Sequence, residues 1–124
     1  MSIQRKHGLW GESLAADALR SAGMEIIATN WHYHHAEIDI IAKDGNVLVF
    51  VEVKMRSYSD YGQPAQMVRK KKQRMMVDAA MAYMRSIQYE WEIRFDIVSI
   101  LGDPDSRFHL RHYKNAFFPG LGRR

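Results

Sequence analysis

Residues 37–54 read EIDIIAKDGNVLVFVEVK, and the way this stretch folds decides how the rest of the chain is read. Aliphatic and β-branched residues flank Asp44-Gly45, the pattern of two strands joined by a tight turn. Yet Glu37, Asp39, Glu52 and Lys54 lie inside those strands. Acids are depleted in strand interiors, and a charge that loses water needs a partner or an ion. Either the four line a solvated face, or they converge to do chemistry.

Strand geometry narrows the choice. Side chains alternate between faces, so Glu37, Asp39 and Ile41 share one side of the first strand. Leu48, Phe50, Glu52 and Lys54 share one side of the second, and Val47, Val49, Val51 and Val53 point the other way. A two-residue loop at Asp44-Gly45 sets Asp39 across from Phe50, with Glu52 diagonal at roughly 7–8 Å. A four-residue loop sets Asp39 directly opposite Glu52, at about 5 Å between Cβ atoms. A three-residue loop without a bulge splits the two between faces. Two of the three simple registers therefore unite the carboxylates.

Outward from the hairpin, residues 8–22 suit a helix that stops at Gly23, with Glu12, Ala15, Leu19 and Ala22 along one stripe. Gly8 and Gly11 would let its backbone approach a neighbour closely. A first strand spans about 24–33, a second 37–42 and a third 47–55. After the loop SYSDYGQP, a helical pattern over about 65–86 places Val68, Met75, Ala79 and Tyr83 on one face. Residues 91–101 and 107–113 read as two further strands joined across Gly102-Asp103-Pro104. The order α-β-β-β-α-β-β predicts an α/β protein, a mixed β-sheet with a helix on each face. A single domain over 1–118 and a loose basic tail over 119–124 are expected.

Composition sets the outer bounds. The chain has 124 residues, 47% hydrophobic, and no cysteine, which excludes disulfides, thiolate zinc sites and cysteine catalysis. No apolar run approaches the ~20 residues that span a bilayer, and the start lacks a secretory apolar segment. A cytoplasmic protein without a membrane partner is the expectation. The net charge of +4 favours polyanions only weakly, but its placement says more. Arg69, Lys70, Lys71, Lys72 and Arg74 crowd the start of the second helix, where the helix dipole disfavours positive charge. Binding to a nucleic-acid backbone explains that placement through counterion release; a solvated basic face is the competing reading. Tyr58 and Tyr61 are placed to stack on unpaired bases, or else to cap the core.

The acidic end of the hairpin carries the sharper chemistry. Ile41, Leu48 and Phe50 would bury the turn end of their face beneath the first helix, leaving the acidic end open as a cleft. Glu12, on the facing stripe of that helix, would join Asp39 and Glu52. Converging carboxylates repel one another unless a cation joins them, and hard oxygen donors suit Mg²⁺ or Mn²⁺. Lys54 would point into the same site and serve a water. Metal plus lysine is an apparatus for phosphodiester hydrolysis.

Other features have plainer readings. Among Trp31-His32-Tyr33-His34-His35, only His32 and His34 share a strand face, a poor zinc set without a thiolate; a polar loop beside the cleft is the better reading. Met75, Met76, Met81 and Met84 read as core filler and helix surface. Asp96 is expected to pair with Arg94, two residues away on the same face.

The spaced set Glu12, Asp39, Glu52-Val53-Lys54 resembles the signature of the PD-(D/E)XK nucleases. That resemblance implies a restriction-endonuclease-like fold, Asp39 and Glu52 as ligands of a divalent metal, the Val53 carbonyl as another, and Lys54 as assistant to the attacking water. Glu12 on the first helix is similar to the arrangement in archaeal Holliday-junction resolvases, which implies a homodimer and a branched or structured DNA substrate. More closely, the chain resembles the YraN-like family of bacterial proteins, through G-x-x-G-E at 8–12, EIDIIAKDGNVLVFVEVKMR at 37–56 and RFDIV at 94–98. The likeness covers about residues 6–118. Ala36 stands where that family usually has Gly, and Ile38-Asp39 replaces Pro-Asp; neither change removes a catalytic group. The expected function is metal-dependent hydrolysis of DNA. The alternatives are a non-catalytic nucleic-acid-binding accessory with the same fold and a protein-interaction scaffold.

Overall fold

Helix α1 (Ile3–Ser21) leads into strands β1 (Glu25–Tyr33), β2 (Ala36–Asp44) and β3 (Val47–Arg56); helix α2 (Lys70–Ser86) then precedes β4 (Ile93–Gly102) and β5 (Phe108–Tyr113). The computed structural model describes residues 3–56, 67–102 and 107–117, with side chains from residue 8 onward. The strands form one sheet in the order β1-β2-β3-β4-β5. Only β3 and β4 run parallel; the other neighbours are antiparallel. This is the mixed α/β architecture and element order expected.

The hairpin turn differs from expectation by one residue. Asp44 pairs with Val47 and Lys43 with Leu48, so the loop is Gly45-Asn46 rather than Asp44-Gly45. Gly45 has φ of +61°, the arrangement of a type II′ turn, which puts glycine at the first loop position because a Cβ is disfavoured there. Ile41 then faces Phe50 and Ile40 faces Val51. Continued by one residue, this register sets Asp39 opposite Glu52.

A parallel pair cannot be closed by a tight turn, so the β3–β4 connection crosses over one face of the sheet, and α2 is that crossover. Met76, Val77, Ala79, Ala80 and Tyr83 of α2 pack with Ile41, Leu48, Phe50, Phe95 and Ile97. The Phe50 and Tyr83 rings meet edge to face, centroids 6.3 Å apart, a favoured aromatic geometry. On the opposite face, Ala15, Ala16 and Leu19 of α1 pack with Ile40, Ala42, Val49, Val51, Val98 and Ile100. Burial on both faces accounts for the near-continuous apolar run Val47–Val51.

The first helix therefore does not cover Ile41, Leu48 and Phe50, as the sequence suggested. The crossover helix claims that face and brings the bulky Tyr83 and Met76 to its aromatic residues. The alanine stripe of α1 fits closely against the flatter valine face. Gly11 permits this approach, since a Cβ there would meet Met55 Sδ at 2.5 Å; at Gly8 nothing lies within 4 Å. The methionines divide as expected, with Met76 buried, Met75 and Met84 partly so, and Met81 exposed.

A second charged cluster ties the far side together. Asp96 is fully buried, and the expected pairing with Arg94 is bidentate: Nε donates to Oδ1 at 2.8 Å and Nη2 to Oδ2 at 3.0 Å. His112 Nε2 lies 2.7 Å from Oδ2, and the Asn115 N–H donates to Oδ1 at 2.9 Å. Arg94 also reaches Asp44 at 3.0 Å, joining β4 to the hairpin. Burial pushes the Asp96 pKa up, but His112, Arg94 and the Asn115 amide outweigh it and hold the carboxyl below its usual range.

A carboxylate whose pKa falls on folding stabilises the fold above its unfolded value, near ~4, and loses that contribution as pH drops through its folded value. Replacing Asp96 by Asn leaves Arg94 without its buried partner and should cost about 3–5 kcal/mol at neutral pH. Urea unfolding checks this, and the gap between variant and parent should narrow below pH ~4.

Candidate active site

The β2–β3 ladder runs from Asp44–Val47 as far as Ile40–Val51. Ile38 packs on the α2 side of the sheet and Ile40 on the α1 side. A regular strand returns to the same face every second residue, so β2 turns about its axis at Asp39. The Asp39 carboxylate consequently accepts a hydrogen bond from the Val53 N–H, at 2.8 Å. An extended residue turns its N–H and C=O to the same edge, so the Val53 carbonyl faces the β2 side too. Across the sheet, β1 is bulged between Ile26 and Ala28, and its register brings Asn30 to the level of Asp39. Asn30 has φ of +51°, a left-handed conformation that asparagine tolerates.

Glu52 lies beneath the first turn of α2 and is almost fully buried. Its Oε2 takes a short charge-assisted hydrogen bond from Lys72 Nζ. Its Oε1 is buried and has no hydrogen-bond partner among the described residues. Burial and then the charge of Glu52 push the Asp39 carboxyl up to about 8; the Val53 amide and Lys72 pull in the other direction. Burial works against the charge of Lys72 as well, but Glu52, Asp39 and Glu37 more than offset it and raise its pKa. Lys72 is therefore paired with Glu52, while the Asp39 carboxyl beside it holds its own proton up to about pH 8.

The structure unites Asp39 and Glu52. Glu12 is tied instead to Asn30, whose Nδ2 donates to its Oε1 at 3.0 Å. That places Glu12 beside the β1 residue level with Asp39. Lys54 follows Glu52 on the same side of β3, is partly buried, and makes no ion pair among the described residues. Tyr58 and Tyr61 lie outside the described residues. Arg69, Lys70, Lys71 and Arg74 are exposed around the start of α2, whose first turn holds no acid.

Lys72 is the residue that the sequence pattern did not separate from its neighbours. The signal was available: Met76, Ala79, Ala80 and Tyr83 define the buried stripe of α2, and helical spacing extends that stripe back to Lys72. Beside it opens a cleft of about 340 Å³ lined by His35, Glu37, Arg69, Lys71 and Lys72, with Met75 and Met76 among its apolar walls. His32 lies 3.6 Å from Glu37. A larger groove of about 680 Å³, lined by residues such as Met81, Arg85 and Tyr89, opens by the other end of α2, away from the carboxylate pair.

These groups fit a hard divalent cation. The donors are oxygen atoms, and Glu52 Oε1 has no hydrogen-bond partner among the described residues. Among the described residues no three His, Asp or Glu side chains gather in one place. Mg²⁺ is commonly held by only one or two carboxylates, with water completing the shell.

The family model described as "Uncharacterised protein family UPF0102" matches residues 11–100. A UPF0102 protein of Flavobacterium psychrophilum is 40% identical over 111 residues, covering 90% of this chain and 92% of the relative. Another, from Symbiobacterium thermophilum, is 42% identical over 116 residues, covering 93% and 98%. A third, from Flavobacterium johnsoniae, is 38% identical over 122 residues, covering 95% and 98%.

The raised Asp39 pKa has a consequence for stability. The folded state keeps a proton that the unfolded chain gives up near pH ~4, so stability is whole below that value and erodes as pH rises towards 8. Asp39→Asn cannot ionise and still offers the Val53 amide an acceptor. Without divalent metal, its Tm relative to the parent should climb between pH ~5 and pH ~8, as read by thermal melts. A constant offset would mean that the folded carboxyl titrates normally.

Proposed function

The chain belongs to the UPF0102 family, and from its site we propose that it is a metal-dependent nuclease hydrolysing phosphodiester bonds in DNA. The observation that carries this reading is the half-buried Asp39 beside the buried Glu52, one of whose oxygens has no hydrogen-bond partner among the described residues. Burying two adjacent carboxylates is expensive, and a site that keeps both is suited to a divalent cation. Asp39 and Glu52 would hold Mg²⁺ or Mn²⁺, with the Val53 carbonyl turned to the same edge. The bound cation would polarise a phosphoryl oxygen and make a coordinated water more acidic.

The remaining steps belong to the chain itself. Lys54, on the Glu52 side of β3, would orient the attacking water and offset charge as it builds on the phosphate. Arg69, Lys70, Lys71 and Arg74 would hold the nucleic-acid backbone, helped by the positive end of the α2 dipole. The Val53 amide keeps Asp39 aimed at Glu52. An accessory that only binds nucleic acid would use the same basic turn, but would have no need of the carboxylate pair.

Cleavage of labelled single strands, duplexes, flaps and four-way junctions, with Mg²⁺ or Mn²⁺, tests the reading. Glu52→Gln and Lys54→Ala should each lower the cleavage rate by about 10²–10⁴-fold. Both should still bind the substrate. A Glu52→Gln protein that cuts as fast as the parent would refute the proposal, and salt-sensitive binding without cutting would favour the accessory role.

A further inference from the structure

We propose that Lys72 is the resident cation of the carboxylate pair: it occupies Glu52 while no divalent ion is bound, and a divalent ion must displace it to enter. This rests on the proposed metal site, but not on DNA cleavage. Lys72 lies one turn before Met76, in line with the buried stripe of α2 and at its exposed rim, and reaches down to Glu52. Its ammonium stands where a metal ion would neutralise the same oxygen.

Three features make the lysine an exchangeable occupant and not a permanent one. The pair is asymmetric: the Glu52 side chain is 3% exposed and that of Lys72 is 49% exposed. The acid is fixed in the sheet, and the flexible lysine reaches it from the rim, so withdrawal needs no opening of the core. Lys72 also satisfies only Oε2, leaving Oε1 without a hydrogen-bond partner among the described residues. Lys72 meets only Glu52 of the two carboxyl groups, and a doubly charged ion would serve both. Finally, Lys72 lines the same cleft as Arg69 and Lys71. Once released from Glu52, its ammonium remains among groups placed to meet a phosphate.

The arrangement has opposing effects on stability and on metal binding. Without a cation, Glu52 would be a buried and unpaired charge, which destabilises a fold strongly. Lys72 removes that penalty from the metal-free protein, and every entering ion must overcome the ion pair. The lysine thus sets the concentration at which the site fills.

Calorimetric titration of the full chain with Mn²⁺, without nucleic acid, tests this exchange. Lys72→Met should bind Mn²⁺ at least about tenfold more tightly than the parent, since close charge pairs couple by that much or more. Its metal-free Tm should be lower, and Mn²⁺ should raise it further than it raises the parent's. Lys72→Arg keeps the charge in a forked, bidentate form and should bind Mn²⁺ more weakly than the parent. That variant carries the test by itself should Lys72→Met fail to fold without metal. Equal Mn²⁺ affinity in the parent and in each folded variant would overturn the exchange while leaving the metal site in place. No Mn²⁺ binding by any of them would overturn the metal site itself, and the exchange with it.

Discussion

Gly45 closes the β2–β3 turn so that Asp44 meets Val47, and that one pairing dictates every other pairing along the two strands. Moving a strand by one residue would send each of its side chains to the opposite face. Leu48 and Phe50 would then leave α2, and the valines would leave α1. Asp39 and Glu52 would part company. Because both faces of the sheet are covered, no slipped register keeps the apolar residues dry. The hydrophobic core therefore enforces a geometry that brings two acids together.

The same molecule handles buried carboxylates in two opposite ways. Asp96 is supplied with a bidentate arginine, a histidine and a backbone amide, and its pKa falls. It is a satisfied structural acid that binds β4 to β5 and to the hairpin. Asp39 receives the Val53 amide, faces Glu52, and its pKa rises. Asp96 is fully buried and Asp39 partly so, yet burial pushes the pKa of both upward. The supply of donors decides the outcome: several donors meet Asp96, whereas one backbone amide meets Asp39.

Lys72 links that site to the basic surface. Helix α2 begins with a run of cations whose positions conflict with the helix dipole. The conflict is relieved for one of them by a buried acid and is left standing for its exposed neighbours. The helix that completes the core on one face thus also delivers a cation to the carboxylates and lines the cleft beside them. Core packing and site electrostatics are set by the same turn of helix.

Much of this was legible in the primary structure. Alternation in EIDIIAKDGNVLVFVEVK, the helical stripe of α1 and the spacing of Met76, Ala79 and Tyr83 are local patterns, and local patterns follow from the periods of strand and helix. They determined the element order, the mixed sheet and the pairing of Arg94 with Asp96. The turn position was missed by one residue, because Asp-Gly and Gly-Asn are both acceptable loops and only the packed sheet chooses between them. Which helix covers which face was decided by tertiary structure, since the α2 crossover took the aromatic face and left the valines to α1. That choice brought the start of α2, and with it Lys72, over Glu52. The carboxylate pair belongs to the sequence, through the hairpin; the cation that meets it belongs to the fold, because only long-range packing brings the start of α2 over β3.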